Sequence, residues 1–131
     1  MKVFIVEDSQ VIRERLHGMM GSISNIELTG DAENEDDAVR DICAIRPDLV
    51  ILDLTLGSGS GLGVLDRVKS QDFPVTVIVL TNYAYPQYRE KCMAHGADYF
   101  LDKSRDIEML GELLCILAGG KSRLTLNCSN A

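Results

Sequence analysis

The chain has no cluster of lysine and arginine. Its 13 basic residues are outnumbered by 20 acidic ones, for a formal net charge of −7. Neutralising nucleic-acid phosphates needs a basic patch, so general nucleic-acid binding is disfavoured. There is no C-x-x-C pair either. Cys43, Cys92, Cys115 and Cys128 are scattered, and neither His17 nor His95 completes a zinc-ligand pattern with them. A zinc site and a disulfide framework are both unsupported, and mostly buried thiols in a cytosolic protein are expected. No apolar stretch reaches membrane-spanning length. The opening "MKVFIVED" has one lysine and a short apolar run broken by acids, which suits a first strand rather than a signal peptide. Linkers, internal repeats and a second composition are also missing. What remains is an ordinary globular composition, 46% hydrophobic and 25% charged, over 131 residues. That length suits one domain with a full core.

Three segments, 3–6, 49–52 and 75–80, are short, almost wholly apolar and rich in β-branched residues. Such runs read as strands buried on both faces of a parallel sheet. Weaker strands are expected at 26–29 and 97–101. Between the strands, apolar residues recur at helical spacing. The stripes are Ile12, Leu16, Met19 and Ile23; Ala38, Ile42 and Ile45; Leu62, Leu65 and Val68; and Ile107, Leu110, Leu114 and Leu117. A further helix spans 86–95, with Pro86 suited to a first turn and Gly96 to a C-terminal stop. Ser9 suits the cap of the first helix, and Asp106 or Ser104 that of the last. The acidic run Glu35-Asp36-Asp37 at the start of the second helix reads as favourable placement against the helix dipole. Five β-α repeats with right-handed crossovers give a three-layer α/β sandwich, for which the flavodoxin-like strand order 2-1-3-4-5 is expected. The domain is expected to span 1–118, and the polar tail 119–131 to fray.

In an open α/β sheet, ligands bind beyond the carboxyl ends of the strands. At those ends stand Glu7-Asp8, Asp53, Thr81 and Asp102-Lys103. Asp53 is the residue that raises the question, because it follows four apolar residues directly, and burying an unpaired charge is expensive. Glu7, Asp8 and Asp53 in one cleft repel one another unless a cation joins them. Hard oxygen ligands with water access suit Mg²⁺. Three carboxylates, one Mg²⁺ and the Lys103 ammonium come close to neutrality. A carboxylate beside Mg²⁺ can attack a phosphoryl group to form an aspartyl phosphate, and Lys103 and the Thr81 hydroxyl would stabilise the charge on the transferring oxygens. Singly, each residue has a plain structural explanation: a cap for Asp8, solvent for Glu7 and Lys103, a backbone bond for Thr81. Together, each at a strand end in the right order, they are hard to dismiss.

With these residues in place, the stretches "VFIVEDS", "PDLVILDLTL…SGLGVL", "VIVLTN" and "GADYFLDKS" show that the chain resembles the receiver domain of bacterial two-component response regulators over about residues 2 to 118. The resemblance implies that Asp53 accepts the phosphoryl group and that Lys103 and Thr81 hold its oxygens. It implies Mg²⁺, with Mn²⁺ as a substitute, held by Asp8, Asp53, the Thr55 backbone carbonyl and, through water, Glu7. It implies a switch in which Thr81 moves and the Phe100 ring turns inward, changing the surface formed by helix 4, strand 5 and helix 5. Tyr99 is expected on the opposite face of its strand from Phe100. The implied donors are a histidine kinase, a histidine phosphotransfer protein, or both. The implied location is the cytoplasm, the implied form a monomer or weak homodimer, and the implied role a signalling domain rather than an enzyme.

The sequence departs from the family pattern in several places. Glu7 replaces the usual aspartate, Phe100 the commoner tyrosine, Gly57 a frequent proline, and Ser104 another. A trans bond is expected before Ser104. Asn82 is bulkier than the residue usual after the threonine. Gly57 suggests a mobile loop, and Tyr83 a shield for the phosphoryl group. Starting at Met1 with only a short tail, the chain reads as a stand-alone receiver without a DNA-binding domain, serving as a diffusible output or a relay intermediate. Three rival readings compete with this one. A phosphorylation-independent receiver-like interaction module keeps the fold but not the chemistry. A small Mg-dependent phosphatase of the haloacid-dehalogenase type lacks its second carboxylate, since Thr55 stands there. A flavodoxin-like cofactor binder would need a phosphate-cradling loop where Glu7-Asp8 stands.

Overall fold

Apolar runs and helical stripes alternate along the chain, and they become β1 (Lys2–Val6), α1 (Gln10–Gly21), β2 (Glu27–Ala32), α2 (Glu35–Ile45), β3 (Leu49–Leu52), α3 (Gly61–Lys69), β4 (Thr76–Thr81), α4 (Pro86–Ala94), β5 (Tyr99–Asp102) and α5 (Ile107–Ala118). The computed structural model describes residues 1–119, so the fraying expected for the tail lies, from residue 120 on, outside the described residues. All strand pairs are parallel, in the order β2-β1-β3-β4-β5, the order expected.

Side chains on a strand alternate between faces, so each apolar run feeds two cores. Phe4, Val6, Val50, Leu52, Val77, Val79 and Phe100 face α2, α3 and α4. Val3, Ile5, Leu49, Ile51, Ile78, Leu80 and Leu101 face α1 and α5. Tyr99 packs against this second core, on the side opposite Phe100 as expected. Strands covered on both faces have no reason to alternate apolar with polar, hence the unbroken runs. α4 is the exception among the helices, for it buries only Cys92. An element with so few buried contacts is cheap to displace.

β2 runs three residues beyond the expected end at 29. The apolar signal fails there, but the backbone still pairs with β1 through Gly30, Asp31 and Ala32. A bulge falls between Val3 and Phe4, and the Thr29 hydroxyl donates to the Val3 carbonyl at 3.0 Å. A side chain at Gly30 would press on the Phe4 ring, 3.1 Å from a Cβ. Ser9 caps α1 by accepting from the Ile12 amide. Pro86 opens α4, and Gly96, at φ +103°, follows its last turn. Asp106 stands at the N-cap of α5 without capping it. Its carboxylate accepts from the Asp102 amide at 2.9 Å instead, closing the β5–α5 turn. No described peptide bond is cis, so the bond before Ser104 is trans. Cys43 and Cys92 are free thiols and Cys92 is buried, in line with the expectation.

Candidate functional site

Parallel strands end on one edge of the sheet, and the ladder continues one residue past several of them. The Glu7 amide donates to Ala32 O at 3.0 Å, the Asp53 amide to Val6 O at 2.9 Å, and the Lys103 amide to Thr81 O at 2.9 Å. These bonds hold three polar residues in strand register at the point where the core ends. They are therefore mostly buried: Glu7 is 2% exposed, Asp53 6% and Lys103 9%, and Thr81 at the end of β4 is fully buried beside them. Buried charges need partners. The Lys103 ammonium bridges the Glu7 carboxylate and Asp53 Oδ2, the latter at 3.0 Å.

One ammonium does not balance the acids. Asp8 is exposed, yet Glu7, Asp8 and Asp53 each place a carboxylate oxygen within 4.8 Å of the others. Glu7 responds most. Burial pushes its carboxyl up to about 7, the hydrogen bond to Asp53 adds to this, and Lys103 opposes it. Burial alone would lower the Lys103 ammonium, but its hydrogen bond with Glu7 and the charge of Asp53 hold it above its ordinary value. The cluster is thus two positive charges short of balance, the charge of one divalent cation. Asp102 adds no further acid here, since its carboxylate turns to the amide and hydroxyl of Ser104 at 2.8 and 2.7 Å.

The remaining expected residues fall around this centre. The Thr55 amide donates to Asp53 Oδ1 at 3.3 Å. The Thr81 hydroxyl accepts from the Tyr83 amide at 3.0 Å, which leaves its own proton to donate elsewhere. Phe100 lies one strand away with its ring buried at 7% exposure, and the Arg89 guanidinium sits 6.0 Å from the ring centre. Tyr83 is 50% exposed and lines a cavity of about 280 Å³ together with Leu54, Thr55, Leu62 and Tyr88.

Two contributors were not legible in the sequence. Arg13 donates to the Glu7 carbonyl at 2.9 Å and pairs with Glu33 at 2.7 Å, so it holds the backbone of the β1–α1 turn. Glu35, read only as a helix-dipole residue, reaches across to the β3–α3 loop and accepts from the Ser60 amide at 2.9 Å. Both are charged residues on amphipathic helices, and spacing along one helix says nothing about a neighbour's loop.

Known proteins resemble the chain in sequence and in fold. The family model for the response regulator receiver domain matches residues 3–114. Over 120 residues the chain is 28% identical to the uncharacterized transcriptional regulatory protein YvfU of Bacillus subtilis, covering 92% of this chain and 60% of that protein. Over 107 residues it is 34% identical to protein-glutamate methylesterase/protein-glutamine glutaminase 1 of Carboxydothermus hydrogenoformans, covering 80% and 31%. The solved DNA-binding response regulator of the LuxR family from Staphylococcus aureus superposes with a TM-score of 0.77 at 28% identity, covering 89% and 98%. The chain spans between 30% and 60% of the length of such curated relatives. Sequence match, strand order and the acidic strand-end cluster agree, and the chain belongs to the response regulator receiver domain family of two-component signal transduction.

Proposed function

We propose that this receiver takes a phosphoryl group onto Asp53 from a phosphohistidine of a histidine kinase or histidine phosphotransfer protein. One observation carries the reading: a lysine bridges two buried carboxylates beside a third, in a cluster two positive charges short of balance. The Glu7, Asp8 and Asp53 oxygens are close enough together to share a small hard cation such as Mg²⁺, with Mn²⁺ as a substitute. Bound there, the ion supplies charge to the equatorial oxygens of the transferring group. The Thr55 carbonyl would complete the protein ligands.

In the transfer, an Asp53 oxygen forms the bond to phosphorus as the phosphorus–nitrogen bond breaks, and the leaving imidazole keeps the electron pair. Lys103 and the Thr81 hydroxyl then face the phosphoryl oxygens. Turning toward them costs Thr81 its bond from the Tyr83 amide, which frees the loop into α4. Because α4 is held by one buried side chain, a modest local charge change can bias its position and that of Phe100. Signal then leaves through the α4–β5–α5 surface. We place this action in the cytoplasm, where the implied donors work. Among the described residues no helix is long and apolar enough to cross a membrane.

Incubation with acetyl phosphate, followed by intact mass, tests the reading. A single phosphoryl adduct is expected with Mg²⁺ and none without it. Absence of an adduct, together with failure to bind beryllofluoride and Mg²⁺, would overturn it in favour of a phosphorylation-independent module. Tyr83→Ala opens the cavity rim beside Thr55. It is expected to shorten the adduct's lifetime severalfold, read as decay of the adduct mass after the donor is removed; an unchanged lifetime would dismiss the shielding role.

A further inference from the structure

The loop that carries Thr55 away from Asp53 is "TLGSGSG", with glycine at 57, 59 and 61. Glycine-rich chain is costly to order, so something must fasten it. Part of the fastening is local. The Gly61 amide donates to Leu54 O at 2.9 Å, Thr55 and Ser60 form an antiparallel bridge, and Ser60 Oγ caps α3 through the Gly63 amide at 3.0 Å.

The rest comes from a different helix. At the start of α2, the Glu35 amide donates to Ser58 O at 3.1 Å, and Glu35 Oε1 accepts from the Ser60 amide at 2.9 Å. Arg67 of α3 holds Glu35 Oε2 at 3.2 Å and Asp36 at 3.0 Å. The carboxylate fills a seat made by missing side chains: a Cβ at Gly63 would collide with both its oxygens, and one at Gly59, where φ is +79°, with its Cβ. A continuous path follows, from Glu35 to the Ser60 amide, across the Thr55–Ser60 bridge, and from the Thr55 amide to Asp53 Oδ1.

We propose that Glu35 is a positioning residue for the acceptor site: it clamps the glycine loop so that the Thr55 backbone is held against Asp53 and toward the cation. The metal half of this inference rests on the reading that Thr55 and the acidic cluster bind Mg²⁺; the clamp itself does not. Its seat also explains why glycine stands at 63, inside a helix where alanine would otherwise be favoured.

The test uses the full chain with Glu35→Ala, Glu35→Gln and Gly63→Ala. Nuclear magnetic resonance reads amide exchange at Thr55 and Ser60 without metal, and then Mg²⁺ affinity by titration. Glu35→Ala is expected to speed exchange at both amides and to weaken Mg²⁺ binding about 10-fold, the usual scale for a residue that orients metal ligands. Gly63→Ala keeps the charge but fills the seat, and is expected to do the same. Glu35→Gln keeps the oxygen that accepts from Ser60 but turns an amide toward Arg67, and is expected to lose less than Glu35→Ala in both readouts. Native-like exchange and affinity in Glu35→Ala would overturn the clamp. So would an equal loss in Glu35→Gln with unchanged exchange, which marks a charge effect alone. If the native chain binds no Mg²⁺, the metal reading falls, while the metal-free exchange rates still decide the clamp.

Discussion

Asp53→Asn is expected to abolish the phosphoryl adduct completely, with acetyl phosphate and with a phosphohistidine donor alike. Asparagine keeps the size and the backbone bond to Val6, so the strand register survives. What it loses is the carboxylate, because a neutral amide oxygen is a poor nucleophile toward phosphorus. The same substitution removes one negative charge from a cluster in which Lys103 alone opposes the acids. Glu7 is pushed up partly by Asp53, so in Asp53→Asn its carboxyl should titrate closer to its ordinary range. The substitution is thus expected to remove function without destabilising the fold. Intact mass reads the first effect and denaturant unfolding the second. A residual adduct would move the acceptor to Asp8 or Glu7.

Glu7 makes the metal-free protein less stable as pH rises toward neutrality. Its folded pKa, about 7, lies above the ordinary 4.5, so the folded chain holds the proton more tightly than the unfolded one. The stability this confers is fully present below about pH 4.5 and is lost as pH climbs through 7. A carboxyl displaced that far withdraws about 3 kcal/mol across the interval. Glu7→Gln keeps the shape and cannot ionise. The stability difference between native chain and Glu7→Gln in chelator should therefore fall by about that amount between pH 4 and pH 8. Millimolar Mg²⁺ at pH 8 should return most of it to the native chain, since a cation replaces the proton, and less to the variant. Urea unfolding at matched pH reads all three conditions. A flat difference across pH would mean that Lys103 alone keeps Glu7 ionised.

The two expected results share a cause, which is burial. Exposed, the same charged side chains would be screened and nearly independent. The extended ladder draws Glu7, Asp53 and Lys103 below the surface, where each sets the others' charge. A site of this kind suits a cation, whose charge completes a balance that the protein alone leaves unmet.

Much of this was legible in the residues alone. Unbroken apolar runs at 3–6, 49–52 and 75–80 require cover on both faces, and that requirement dictates a parallel sheet between helical layers. The polar residues that end those runs must gather at one edge, because parallel strands all finish on the same side. The fold class and the gathering of Glu7, Asp8, Asp53, Thr81 and Lys103 at one edge follow from periodicity and chain direction, while the strand order is the common one for five β-α units. Contacts between elements that are remote in sequence do not. The three residues by which β2 outruns its apolar signal, Gly30, Asp31 and Ala32, are set by pairing with β1. Asp106 looked like a cap and closes a turn instead, its carboxylate accepting from the Asp102 amide and from no amide of its own helix. The glycine loop reads as mobile in one dimension and is fastened in three by Glu35, whose partner Ser60 is 25 residues away. Local propensity and periodicity are properties of the chain and can be read along it. Which charge reaches which loop, and how far burial shifts a carboxyl, depend on distances that exist only once the layers have packed.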